Sequence, residues 1–271
     1  MFTHAIEVAT GFTNPYVALR RRACGDVLSS LGAFIVVNSD GWIVTSAHII
    51  EEILSQERIR ETATEEDSDP QRVVAHSEIW AVPGFMARPA RMVEAHVKRV
   101  ADLGLCRIEP FTGEGISEYP VFRDAVTAPI SQGMSVCRLG FPFFDVAASF
   151  SEERNQFSLD QGAFPIPRFA LDGVVARFNR RVSDDGQASA IYIETSTPGL
   201  RGQSGGPLLD TNGRVCGVQS HTAHLDLGFD AQFSVGSQVV TERQFLNVGA
   251  ATHVDEVREL MDSVDVKYRL G

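Results

Sequence analysis

Nowhere in this sequence do apolar residues run unbroken for the roughly 18 positions that a membrane-crossing helix demands. Positive charge is the scarcer sign. The 24 Lys and Arg stand against 35 Asp and Glu, a formal net charge of −11, which repels phosphate backbones and anionic lipid and argues against nucleic acid or a membrane surface as partner. Cysteine is sparse as well. Cys24, Cys106, Cys137 and Cys216 are widely spaced and three lie in apolar, strand-like runs (LGLCRI, SVCRLG, RVCGVQ), which predicts buried free thiols rather than a disulfide framework or a cysteine nucleophile. A secretory leader is not expected either: Arg20, Arg21 and Arg22 follow the first apolar stretch, whereas a signal peptide carries its basic residues ahead of it. The expected location is therefore the cytoplasm. No internal repeat recurs at a fixed period.

What the chain does hold is hydrophobic material enough for a sizeable core, 44% of 271 residues. Short β-branched and aromatic runs alternate with turn residues: GAFIVVNSDGWIVTSA, RMVEAHVKRV, MSVCRLGF, SAIYIETS, GRVCGVQS and AQFSVGSQVV. This pattern predicts an all-β protein. Two hairpins are plain, FIVV-NSDG-WIVT and PLLD-TNG-RVCGV, because Asp40-Gly41 and Asn212-Gly213 supply the positive φ of tight turns. Helical spacing is convincing in IIEEILSQERIRE, after His48, and in HVDEVRELMDSV near the end. A Gly-, Pro- and polar-rich stretch over 111–133 marks the boundary between two β halves. The expected division is an extension over 1–31, a β unit over 32–120, a second over 121–250, and a helix over 251–271. The acidic run at 59–71 reads as a solvated loop, and 146–168, which mixes Phe150, Phe157 and Phe164 with Pro165 and Pro167, as a lid or the filling of a groove.

One segment carries chemistry on its face. In GQSGGP, Ser204 stands between Gly202 and the pair Gly205-Gly206. Acyl transfer places negative charge on a carbonyl oxygen, and two backbone N–H groups can converge on it only where side chains leave the turn open; the amides of Gly202 and Ser204 are the candidates. A serine hydroxyl also needs a base, and the base a group that fixes its orientation. His48, at the end of strand WIVTSA, is the candidate base, and Asp102, opening the strand LGLCRI, the orienting carboxylate. His221 and His224 have a spacing that a metal could use, but no third ligand cluster lies nearby in sequence, so neither metal nor cofactor is expected.

Together GAFIVVNSDGWIVTSAHII, DLGLCRI and GQSGGPLLDTNGRVCGVQS resemble the histidine, aspartate and serine motifs of the chymotrypsin superfamily, in that family's order, with the HtrA/Deg-like branch the most similar. GFPF at 140–143, LDGVVARF at 171–178 and YIETSTPGLRGQSGG at 192–206 follow in the expected succession, and the likeness runs from about Gly32 to Val240. The resemblance implies two six-stranded antiparallel barrels followed by a C-terminal helix, a triad of His48, Asp102 and Ser204, and serine endopeptidase activity on polypeptides through an acyl-enzyme. It also implies a primary specificity pocket with Pro198 near its base and Ser220, His221 and Thr222 along one wall. With no acidic residue at that base, the expectation is a preference for small to medium apolar side chains. Asp226 and Asp230 lie on the neighbouring stretch.

The chain departs from the family in three places. Gln203 stands where digestive members have an aspartate that pairs with a new N-terminus, which points to formation or regulation of the site by loops and leaves room for a protein activator. The segment 146–168 is longer than its counterparts and is the candidate regulatory element. With so few residues after the second β unit, no PDZ domain, and hence no PDZ-dependent peptide sensing, is expected. Two rival readings stay open: an α/β-hydrolase esterase, since GQSGG also fits a nucleophile elbow, and a catalytically silent binding module of protease shape.

Overall fold

The computed structural model describes residues 1–62, 69–86, 88–236 and 238–271. Residues 63–68 of the acidic run at 59–71 lie outside them. Helix α1 (Thr3–Thr10) precedes β1 (Thr13–Arg22), β2 (Val27–Val36) and β3 (Trp42–Ser46); α2 (Ala47–Thr62), β4 (Val73–Trp80), β5 (Arg91–Lys98) and β6 (Leu103–Glu109) follow. The six strands form one antiparallel sheet in the order β4-β1-β2-β3-β6-β5. The predicted hairpin appears as β2 against β3, with Ile35 opposite Val44 and Val36 opposite Ile43. Residues 13–31, assigned to an extension by sequence, instead supply β1 and half of β2. Their apolar side chains, Tyr16 to Leu19, are buried against the sheet, so this segment is part of the first β unit and not an appendage.

The chain then runs through β7 (Val121–Phe122), β8 (Ser135–Gly140), β9 (Ala148–Ser151), β10 (Gln156–Leu159), β11 (Phe169–Val182), β12 (Ser189–Thr195), β13 (Pro207–Leu209), β14 (Val215–Val235), β15 (Gln238–His253), α3 (Val254–Asp262) and β16 (Arg269–Leu270). The second sheet runs β13-β8-β11-β12-β15-β14-β7-β16, and β13 also pairs with β14. That pairing closes β13, β8, β11, β12, β15 and β14 into a ring, with β7 and β16 added at its edge. A six-stranded barrel is therefore present in the second half. One continuous apolar core joins the two units, with Ile35, Val44 and Leu105 from the first and Leu139, Ile193 and Val218 from the second. The protein is all-β with a chymotrypsin-like arrangement and a helix close to its C-terminus.

Three details bear on the expectations, and only the first departs from them. Helix α1 has no side-chain cap; burial of Ala5 and Ala9, and of Phe2 just ahead of it, holds it in place, a tertiary cause that local periodicity does not display. The segment 146–168 forms the β9–β10 ribbon and packs Val146, Ala163 and Ile166 against Val17, Leu19 and Ala33 of the first sheet. It fills a groove there, and the cavity at Ser204 draws none of its lining from it. Ser204 is followed by strand β13, not by a helix, which removes the nucleophile-elbow reading. Among the described residues no helix is long and apolar enough to cross a membrane.

Candidate active site

His48 follows Ala47 at the start of α2, directly after β3. Its side chain stands at the edge of the first sheet, half exposed. Asp102 is brought to it by a backbone conformation that few residues tolerate: after a short 3-10 turn over Arg99–Ala101, Asp102 sits at φ +45° in the left-handed region, which Asp and Asn enter more readily than most. From there its carboxylate accepts the His48 backbone N–H at 3.1 Å and faces Nδ1 of the ring at 3.0 Å from both oxygens. The Ala47 N–H donates to the Asp102 carbonyl at 3.1 Å. An ionised carboxylate only accepts, so Nδ1 carries the ring proton and Nε2 presents a lone pair. The bond to Asp102 raises the imidazole above its ordinary basicity, against the opposing effect of burial. Burial disfavours the charge on Asp102, but the His48 ring, the Ser220 hydroxyl and the His48 amide outweigh it and hold the carboxyl below the usual range.

Ser220 connects this pair to Ser204. Its hydroxyl donates to Asp102 Oδ2 at 2.6 Å, and its carbonyl accepts the Ser204 hydroxyl at 3.1 Å. Because a hydroxyl has one proton to give, the 2.8 Å contact between Ser220 Oγ and His221 Nδ1 is a bond donated by the histidine. Sequence reasoning gave Ser220 a wall of the pocket and missed this second role, for which no local motif signals.

The loop before Ser204 is a tight turn. The Gln203 N–H donates to the Leu200 carbonyl at 3.0 Å, and Gly202 occupies the third position at φ +88°, as a type II turn requires. A Cβ at position 202 would run into the Phe141 carbonyl. Gln203 is buried, and its Oε1 accepts the Leu200 N–H at 3.1 Å, which braces the turn without an ion pair. The amides of Gly205 and Gly206 are taken by the Gln219 and Gln203 carbonyls. Among the described residues no acceptor within the protein meets the amides of Gly202 and Ser204.

These groups border a cavity of about 300 Å³ lined by His48, Ser204, Gly199, Leu200, Arg201, Ser220, His221 and Thr222, with Arg138 also contributing. Thr222 Oγ1 donates to the Gly199 carbonyl at 2.8 Å and ties two of its walls together. Pro198 does not line the cavity; Gly199 and Leu200, one and two residues on, do. Arg138 is the residue that sequence reasoning missed. It belongs to β8, outside the histidine, aspartate and serine motifs, and its signal was a lone cation between Cys137 and Leu139 in a largely apolar strand. The cavity lining thus includes a cation from β8. Asp226 and Asp230 lie elsewhere, on the β14–β15 arm, where Asp226 pairs with Arg243 at 2.5 Å. A larger hollow, about 510 Å³ between Val82 and Gly115, is lined by no serine, cysteine or histidine.

His221 and His224 do not form a metal site: among the described residues no group of three or more His, Cys, Asp or Glu could hold an ion, and His224 Nδ1 instead meets Asn247 Oδ1 at 2.6 Å. The four thiols are unpaired. Burial pushes Cys137 up to about 11 and Cys216 up to about 12, which keeps both protonated at neutral pH.

Comparison with known proteins agrees with this architecture. Two solved structures share the fold: the Rv3671c protease from M. tuberculosis in its active form (TM-score 0.53, 14% identity, covering 98% of this chain and 86% of that one) and the HtrA-type protease AlgW with a tripeptide (TM-score 0.51, 15% identity, covering 97% and 63%). The mitochondrial serine protease HTRA2 of Bos taurus is 27% identical over 197 residues; that match takes in 72% of this chain and 32% of the relative's length. Residues 32–218 match the trypsin-like peptidase domain, more than half of the molecule, and the chain belongs to the trypsin-like peptidase family.

Proposed function

We propose that the protein is a serine endopeptidase in which Ser204 is the nucleophile, His48 the base and Asp102 the group that orients and stabilises it. As Ser204 Oγ attacks the carbonyl carbon of a peptide bond, its proton passes to His48 Nε2. The imidazolium that forms is stabilised by Asp102, already ionised and in contact with Nδ1. The carbonyl oxygen, now negative, enters the site of the free amides of Gly202 and Ser204. His48 then returns the proton to the departing amine, and water, activated by the same base, hydrolyses the acyl-enzyme. The step uses only groups of the chain itself. Rotation about the Ser204 Cα–Cβ bond is needed to turn its hydroxyl from the Ser220 carbonyl toward His48. The observation that carries this reading is the continuous link Ser204–Ser220–Asp102–His48 around one cavity with two unfilled amides beside the hydroxyl.

Control of the site belongs to the same proposal. With Gln203 bracing the turn internally, a newly cut N-terminus has no carboxylate to pair with there, and loop contacts or a protein activator are the remaining means of regulation. A fluorophosphonate probe tests the core of the proposal: it labels the unmodified protein and neither Ser204→Ala nor His48→Ala, and casein or peptide digestion follows the same pattern. Labelling that survives Ser204→Ala removes the assignment.

A further inference from the structure

We infer that the cavity beside Ser204 takes an acidic side chain, so that the enzyme cuts after glutamate or aspartate with Arg138 as the cation that receives the carboxylate. This rests on the peptidase reading above and adds its substrate class. Arg138 is 1% exposed, and an arginine that deep in a protein is normally paired with a carboxylate. This one is not. One Nη donates to the neutral Thr195 hydroxyl, Nε has no partner, and burial alone displaces its acidity, with no carboxylate acting on it.

The surroundings are shaped around the guanidinium. A Cβ at Gly249 would collide with it, and one at Gly199 would stand 3.4 Å from Nη1, so glycines on two neighbouring segments leave the cation room. The cavity lining includes a second guanidinium, Arg201, and no carboxylate, in a chain whose net charge is −11. Local positive potential therefore runs against the sign of the whole molecule. Burial lowers Arg138 to about 10, which leaves it charged at neutral pH. A substrate carboxylate would supply the acceptor that the fold withholds, in the forked geometry that suits guanidinium, and would lift the cost of an unpaired buried charge. The residue whose carbonyl enters the Gly202 and Ser204 amides has its own side chain in this same cavity, which places the carboxylate immediately before the cut.

The test uses the full chain and matched peptides that differ only in that residue: Glu, Asp, Gln, Val and Leu. Glutamate should exceed its neutral isostere glutamine by about 30-fold or more in kcat/KM, the scale of a charge-assisted bond in a dry site. Arg138→Met should bring that ratio toward one, while Arg138→Lys, which keeps the charge and loses the fork, should fall between. If the methionine variant does not fold, the wild-type ratio decides by itself. A profile led by Val or Leu, with Glu no better than Gln while fluorophosphonate labelling of Ser204 is intact, overturns the inference and leaves the peptidase reading in place. Absence of both labelling and hydrolysis overturns both.

Discussion

The two β units supply the candidate site with groups in opposite states of satisfaction. From the first, Asp102 and His48 are bonded to one another through the ring and through the His48 amide. Their geometry is fixed before any substrate arrives. From the second come groups with donors unfilled: the amides of Gly202 and Ser204, Nε of Arg138, and Nε2 of the buried Gln203. A protein rarely leaves so many buried or half-buried donors open in one place. The difference separates labour within the site: one side holds a proton acceptor ready, and the other presents donors to incoming oxygen atoms.

Removing the most self-contained group on each side gives the largest effects. Ser204→Ala, on the proposed mechanism, should lower kcat by about 10⁶, the scale of nucleophile loss in other triads, measured on a peptide substrate. Asp102→Asn is the sharper cut, because asparagine accepts the left-handed backbone at this position. The fold is kept while the charge and one of the two acceptor oxygens are lost, so a fall of about 10⁴ is expected. The same variant should change the pH profile. On the proposed mechanism His48 acts as a neutral base, and Asp102 raises its pKa, so wild-type kcat/KM should decline on acidification through a pKa above that of free imidazole. With Asp102→Asn that support is gone and the acid limb moves to lower pH; a limb that stays in place would mean that another group titrates.

How far the sequence revealed this arrangement depended on whether the cause was local. The turns at Asp40-Gly41 and Asn212-Gly213, the amphipathic α3 and the glycines around Ser204 all state their structure within a few residues, and hairpins and helix formed where expected. His48, Asp102 and Ser204 were legible because each lies in a recognisable motif. Ser220 as a link to Asp102 and Arg138 in the cavity lining were not, since each acts across more than 50 residues of chain, through a contact that only the folded chain creates. Pro198, expected near the base of the specificity pocket, is not among the residues that line the cavity, whereas the adjoining Gly199 and Leu200 are. Helix α1 was missed for the same reason as Arg138, its stability arising from what packs on it.

Ser204 aside, effects on the second unit should be smaller, because the amides act on charge that exists only during reaction. Gly202→Ala forces a side chain onto φ +88° and into the Phe141 carbonyl. The turn must open and the amide must move, so kcat should fall by about 10² to 10³, as for loss of one oxyanion donor. KM should change less. If KM rises and kcat holds, the Gly202 amide serves binding and not the transition state.

Ser220→Ala gives the smallest change and tests the link between the halves. Its carbonyl, which meets the Ser204 hydroxyl, is backbone and survives the substitution; what disappears is the 2.6 Å bond to Asp102 Oδ2. Asp102 then loses one of the contacts that hold its carboxyl below the usual range, yet keeps His48. The loss of one bond to a charged group predicts about a 10-fold fall in kcat, with Ser220→Thr restoring most of it because the hydroxyl is retained. Should the alanine variant lower affinity for peptide while leaving turnover alone, Ser220 would act as a wall of the cavity, and the orientation of Asp102 would depend on His48 without help from the second barrel.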